Sequence, residues 1–199
     1  MFGSSAPARL GLCALLAGCA STTVETSGTA PTAPLCQARS ENLSALVLWG
    51  PIWRPDQKDV PQREEAARQG IESFFASSGC FARYEVRRLS GGGSAATPST
   101  QELLALAAAA NLRPDRVLVV TVRELGPIVK LLGSAALVEG ETEVVFGLNA
   151  IDARAGTSLA SVQTHWRNGG AMVIKGTSSL PADMSAALQA ALSPPVQPR

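Results

Sequence analysis

A run of apolar, mostly β-branched residues in the second half of the chain constrains the fold most. Residues 117–122 read Val-Leu-Val-Val-Thr-Val, without a charged side chain. Such a run predicts a strand buried on both faces, which is typical of α/β proteins. The chain has 199 residues, enough for one ordinary domain with a single core.

Helix start and stop signals surround this strand. Pro61 suits the first turn of a helix that Gly79 ends. Ser99 and Glu102 have the spacing of a capping box and begin a second helix. Pro181 opens a third helix, whose apolar residues recur at helical spacing up to residue 192.

The remaining strands complete the predicted architecture. Residues 43–49 and 81–89 form short strands, and residues 141–151 and 158–166 form a hairpin whose loop contains Gly156. The predicted order is therefore β-α-β-α-β-β-β-α. We expect an α/β fold of the mixed β-sheet sandwich type, with the helices packed on the sheet.

The N-terminus has the pattern of an export signal. Arg9 precedes the apolar residues 10–17, and Leu16-Ala17-Gly18-Cys19 then resembles the lipobox of bacterial lipoproteins, in which the Cys is acylated. An ordinary cleaved signal would not need Cys at the cut, and the run is short for a membrane span. We expect residues 1–18 to be removed. Ala20, which is not the Asp of an inner-membrane retention signal, favours the periplasmic face of the outer membrane.

The segments that follow differ in composition. Residues 19–35 are rich in Ser, Thr, Pro and Ala and are predicted to be a disordered tether, followed by a periplasmic domain over 36–192 and a disordered tail over 193–199. Without Arg9, 16 of the 17 basic residues remain against 16 acidic ones. Zero net charge gives no indication of nucleic-acid binding.

Cysteine and histidine usage limits the chemistry. Cys36 and Cys80 form an even pair in an exported chain and predict a disulfide; two free buried thiols are the alternative. His165 is the single histidine, which argues against a metal site or cofactor and favours a structural or surface role. The sequence has no Gly-x-Ser-x-Gly elbow and no Ser-x-x-Lys pair, so we expect no enzyme.

Three stretches resemble one group of periplasmic domains, found in the curli-secretion lipoprotein, the lipoprotein activator of penicillin-binding proteins and the N-terminal domain of the Tol β-propeller protein. They are residues 46–49, residues 107–122 with Leu112-Arg113-Pro114-Asp115, and residues 148–160 with a turn at Asp152. The resemblance covers about residues 40–192 and implies an envelope location and a similar fold. The resemblance is a much weaker guide to activity than to fold and location, because fold does not determine function.

Two surfaces are candidates for binding a partner protein. Trp53 and Arg54 follow the first strand, and Trp and Arg are enriched at binding hot spots, although Trp53 could instead cover a helix end. The second candidate is the apolar stretch 125–139, which includes Ile128, Val129, Leu131 and Leu132. The stretch is either a buried helix or strand extension, or an exposed docking patch.

These features favour a lipid-anchored accessory or assembly lipoprotein that binds another cell-envelope protein. The alternatives are an activator of a cell-wall synthase and a small-molecule or glycan-binding envelope enzyme. The stretch 125–139 is predicted to be too short, and too interrupted by glycine, for a two-stranded hairpin with a turn. This argues against the pore that the curli-secretion protein forms.

Overall fold

A six-stranded mixed sheet organises the protein. The computed structural model describes residues 20–36, 43–89, 98–132, 137–171 and 173–193. The predicted signal peptide, Cys19 and the tail beyond residue 193 lie outside the described residues. The elements are β1 (Ser21–Thr29), β2 (Ser44–Pro51), α1 (Val60–Ser78), β3 (Arg83–Arg88), α2 (Thr100–Ala108), β4 (Arg116–Leu132), β5 (Leu137–Asp152), β6 (Ser158–Ala171) and α3 (Leu180–Leu192).

The predicted fold class is confirmed, and the predicted order of elements is present from β2 onwards. The strands lie in the order β1-β6-β5-β4-β2-β3. β2 pairs in parallel with both β3 and β4, and the remaining pairs are antiparallel. The α-helical connections after β2 and β3 are of the kind that parallel neighbours require.

Each face of the sheet carries its own core. On the first face, α1 and α3 cover side chains such as Phe146 and Leu118, which are fully buried with Phe74 and Leu188 of the helices. On the second face, the short α2 covers only the part of the sheet around Val119. The central run of β4 is therefore buried on both sides, as the sequence predicts.

Local signals set the bounds of the helices. Asp59 and Gly79, with φ of 55° and 63°, flank α1, and Ser99 with Glu102 forms the predicted capping box of α2. α1 and α3 approach each other closely at Gly70, where a Cβ would collide with Met184 and with the backbone of α3. A larger residue at position 70 would separate the two helices.

Residues 21–29 are not a disordered tether. They form β1, which pairs with β6 from Ser21 opposite Gly169 to Thr29 opposite Ser161. Every residue of β1 is exposed, so main-chain hydrogen bonds hold the strand rather than buried side chains. The prediction that residues 19–35 lack structure is therefore wrong for 21–29, because an exposed edge strand needs no hydrophobic period.

Residues 125–132 and 137–139 belong to two paired strands, so the prediction that the stretch 125–139 is too short for a two-stranded hairpin is wrong. β4 continues to Leu132 and β5 begins at Leu137. The two strands pair over their whole length, with a register shift between Val122 and Glu124. The strand extension considered from the sequence is therefore correct. None of the helices in the described ranges has both the length and the apolar character needed to cross a membrane.

The two turns that carry the family resemblance lie side by side and have a structural role. Arg154 binds Asp115 through Nη2 and Oδ1 at 2.5 Å, and Arg116 binds Asp152 at the same distance. The Ser44 backbone N–H donates to Asp115 Oδ2 at 2.9 Å. This hydrogen bond, with help from the Ser44 hydroxyl and Arg154, holds the pKa of Asp115 below its usual value against the opposing effect of burial.

Candidate functional site

The second face of the sheet is open where α2 does not reach. We call this surface the open face and define it by the outward residues of β4, β5 and β6: Thr121, Arg123, Glu143, Val145, Gly147, Asn149, Ser161, Gln163, His165 and Arg167. Their neighbours in sequence, such as Phe146 and Trp166, point into the first core. Period-two alternation therefore separates a buried face from a polar face.

A charged cluster occupies the open face between β5 and β6. His165 Nε2 lies 2.5 Å from Glu143 Oε1, and Arg167 Nε lies 3.5 Å from the same oxygen and 2.9 Å from His165 Nε2. A single ring nitrogen cannot both donate to Glu143 and accept from Arg167. The two contacts therefore belong to different tautomers of His165, and in both the Glu143 carboxylate lies beside Arg167.

His165 lies on the open face, partly exposed, as the sequence indicates. In the described parts of the chain, no Ser, Thr or Cys side chain hydrogen-bonds to it. General-base catalysis needs such a partner, or a substrate, within hydrogen-bond reach. The contacts seen at His165 are therefore those of a charge cluster. Within the same described ranges, no group of three or more His, Cys, Asp or Glu could hold a metal ion.

A second charged cluster closes the free edge of β4. Beyond Val122, β2 ends and β4 loses its neighbour on that side. Arg63 at the start of α1 donates to the main-chain oxygen of Leu125 and binds Glu124 at 3.2 Å. Arg54 binds the other oxygen of Glu124 at 3.1 Å. Two arginines thus occupy the edge that would otherwise be free to pair.

The structure separates the predicted candidates Trp53 and Arg54. Trp53 is half-buried against the first core, and its Nε1 has no hydrogen-bond partner among the described residues. The Arg54 side chain is 65% exposed. Trp49 is buried in the core. Arg54 is therefore the accessible member of the pair, and Trp53 supports the loop that carries it.

The second predicted surface lies further along β4. Ile128 is half-buried and stands opposite Glu141, four residues beyond Glu124. Val129, Leu131 and Leu132 follow on the same strand and pair with the beginning of β5. At about 3.3 Å per residue, Ile128 lies about 13 Å from Glu124 along the strand. The second candidate is thus part of the β4–β5 hairpin, whereas Trp53 and Arg54 lie on the loop after β2, from which Arg54 contacts Glu124 of β4.

The two charged clusters border one shallow depression of about 440 Å³. Its lining residues are Ile52, Trp53, Arg54, Arg123, Glu124, Glu143 and Val145. Arg123, Glu124 and Glu143 are not among the site residues predicted from the sequence. Alternation along β5 places Glu143 on the polar face, but only the strand register shows that it meets His165.

Comparison with known proteins gives no family assignment. No protein-family model matches the sequence. No curated protein matches it either. Membership of the group suggested by the turn motifs therefore stays a prediction.

Several solved structures are similar to this chain. One is a PelC dodecamer from Paraburkholderia phytofirmans, with 14% identity, 86% of this chain and 98% of that chain covered, and a TM-score of 0.45. A second is the lipoprotein GNA1162 from Neisseria meningitidis, with 16% identity, 73% and 96% covered, and a TM-score of 0.40. A third is a putative neuraminyllactose-binding hemagglutinin homolog from Helicobacter pylori, with 14% identity, 79% and 82% covered, and a TM-score of 0.33. TM-scores below 0.5 assign neither a family nor an activity to this chain.

Proposed function

We propose that this chain is a non-enzymatic accessory or assembly lipoprotein, anchored by Cys19 to the periplasmic face of the outer membrane, that binds another cell-envelope protein. The observation that carries the proposal is Leu16-Ala17-Gly18-Cys19 at the end of an export signal. The disulfide between Cys36 and Cys80 supports it, because such bonds persist in oxidising compartments.

The open face supports a binding role. The depression beside Arg54 and Arg123 is shallow and wide, whereas small-molecule sites are concave and mostly apolar. Charged groups of both signs surround it, with Glu124 and Glu143 between the arginines. Mixed charges at a protein interface select the partner and its orientation more than they add affinity.

The anchor is tested separately from the surface. The Cys19→Ala variant should leave the membrane fraction and appear as soluble protein in the periplasm. Wild-type protein should remain in the membrane fraction and carry acyl chains that mass spectrometry detects on the N-terminal peptide. A Cys19→Ala variant that stays in membranes would rule out the anchor.

The binding surface is tested by site-specific crosslinking in cells. A photoreactive amino acid at Arg123 should capture one dominant envelope protein, and the charge reversal Arg54→Glu should abolish the capture. Arg83 is exposed on β3 at the opposite edge of the sheet, so a crosslinker there and the Arg83→Glu variant are matched controls. Equal capture from positions 83 and 123, or capture that survives Arg54→Glu, would contradict this surface.

A further inference from the structure

We propose that the depression on the open face takes a carboxylate of the bound envelope protein, an Asp or Glu side chain that pairs with Arg123. The inference rests on the proposed function, because it names the chemistry of the partner segment that meets this surface. Three observations carry it: the bulge of β4 that presents Arg123, the pairing of the glutamates beside it, and the free side chain of Arg123 itself.

A bulge in β4 places two charged side chains next to each other on the open face. The register shifts between Val122 and Glu124, so Arg123 is the extra residue of the bulge. Val122 and Leu125 are buried in the first core. The two residues between them, Arg123 and Glu124, both line the depression. A regular strand would turn one of these two charges toward the core, and bulges that re-aim a side chain are over-represented next to functional sites.

Both glutamates of the depression already have cationic partners. Glu124 binds Arg54 at 3.1 Å and Arg63 at 3.2 Å, through its two different oxygens. Glu143 Oε1 lies 3.5 Å from Arg167 Nε. A lysine or arginine of a partner protein would have to compete with these arginines for the same carboxylates. The glutamates therefore do not favour a basic partner segment.

Arg123 is the cation of this surface that has no such partner. The residue is exposed, and none of the described residues forms a hydrogen bond or ion pair with its side chain. Together with Arg54, Arg63 and Arg167, four arginines stand against the two glutamates. The local excess of positive charge attracts an acidic segment, and complementary charges of this kind fix the register of a complex.

The depression fits a carboxylate better than a phosphate. The planar guanidinium can donate two parallel hydrogen bonds to the two oxygens of a carboxylate. Glu124 and Glu143 line the same depression and would repel the second negative charge of a phosphate monoester. Ile52 and Val145 are half-buried and line it as well, so they offer apolar contact to the methylene groups of Asp or Glu. We therefore expect a protein side chain rather than a phosphate headgroup.

Site-specific crosslinking combined with a charge exchange tests the inference. A photoreactive amino acid replaces Val145, which lines the depression, in cells that produce the full chain with Arg123, Arg123→Gln or Arg123→Glu. We expect capture of one envelope protein by the wild type and none by Arg123→Glu. Capture by Arg123→Gln should be about fivefold weaker, as the loss of a charge pair about 4 Å apart in water predicts. Arg83→Gln, at the opposite edge of the sheet, is the matched control and should capture as the wild type does.

The captured peptide then identifies the carboxylate. Mass spectrometry should locate an Asp or Glu in the crosslinked segment of the partner, and replacing that residue by Lys should restore capture by Arg123→Glu. Undiminished capture by Arg123→Gln, a crosslinked segment without an acidic residue, or no restoration would overturn the inference while the proposed function stands.

The remaining outcomes separate this inference from the binding surface itself. Capture of a phosphorylated lipid in place of a protein would assign Arg123 to phosphate and overturn the carboxylate. Capture of no protein from positions 123 and 145 would overturn the proposed surface, and the inference with it. Because the Arg123 side chain has no described contacts, its variants should unfold at the wild-type urea concentration. A photoreactive amino acid at Ile52 repeats the measurement if the substitution of Val145 impairs folding.

Discussion

Removal of the disulfide should cost the protein about 4 kcal/mol of stability. Cys36 and Cys80 are separated by 44 residues, and closing a loop of this length removes enough entropy from the unfolded chain to give about 4 kcal/mol at 25 °C. The bond attaches the segment after β1 to the end of α1. Cys36 N–H also donates to Leu192 O of α3 at 3.1 Å. This backbone hydrogen bond does not involve the sulfur atoms, so we expect the native contacts of Cys36 to survive removal of the disulfide and the main effect to lie in the unfolded state.

The assay is urea unfolding of the Cys19→Ala protein, with and without the additional substitutions Cys36→Ala and Cys80→Ala. Trp49 and Trp166 are 3% exposed, so their fluorescence reports loss of the core. For a domain of this size, 1 kcal/mol corresponds to about 2–4 °C. The disulfide-free protein should therefore melt about 8–16 °C lower. Its urea m-value should rise, because the unfolded chain becomes less compact.

Reduced wild-type protein is the control for the substitutions themselves. It should unfold at the same urea concentration as the double alanine variant, and reductant should not affect that variant. A stability loss under about 1 kcal/mol with an unchanged m-value would refute the chain-entropy reasoning. A large loss without any change in m would instead place the effect in the native state.

Three further substitutions test local features of the fold. Ser99→Ala removes the capping box of α2 and should cost about 0.5–2 kcal/mol in urea unfolding; no loss would mean that the cap is redundant. Asp115→Asn should lower the free energy of unfolding at pH 7. Because the pKa of Asp115 is lowered in the folded protein, its charge stabilises the fold above about pH 4, and this stabilisation is lost as the pH falls. The variant should therefore lose less stability on acidification than the wild type, and an unchanged pH profile would contradict this. Gly126→Ala should displace Arg63, which occupies the space of the added Cβ, and cost about 1–3 kcal/mol. Gly147→Ala, where the Cβ meets only Thr121 at 3.9 Å, should be far milder, and equal losses would contradict the role of Arg63.

Elements with local signals could be predicted from the sequence. Gly79 ends α1, Ser99 caps α2, and the apolar run at residues 117–122 is a buried strand. In each case the feature depends on residues that are near one another in the chain. The disulfide could be predicted because only two cysteines remain beyond Cys19, so no choice of connectivity was needed.

β1 could not be predicted for a physical reason. Its side chains are exposed, so the strand has no buried face and no hydrophobic alternation. Its stability comes from pairing with β6, supported by the hydrogen bond from Asn168 Nδ2 to Thr22 Oγ1 at 2.7 Å. The strand and its partner are more than a hundred residues apart in the chain, and composition alone makes the segment look like a linker.

The contacts between the site residues also could not be predicted from the sequence, because they depend on strand register. Glu143 and His165 each fall on the polar side of an alternating strand, which the sequence indicates. Their contact depends on the antiparallel register of β5 and β6, and a shift by one residue would point them to opposite faces. Arg54 was identified by residue type, but its partner Glu124 follows the β4 register shift, which no local pattern marks.

The position of β1 also determines where a partner can bind. β1 begins at Ser21, two residues after Cys19, so the proposed anchor at Cys19 would be joined to the sheet without a long tether. Glu124 lies four residues from Ile128, which shares a row with Ser21, and four residues correspond to about 13 Å. With the proposed anchor at Cys19, a protein that contacts Arg54 and Glu124 would therefore bind close to the membrane that holds the anchor.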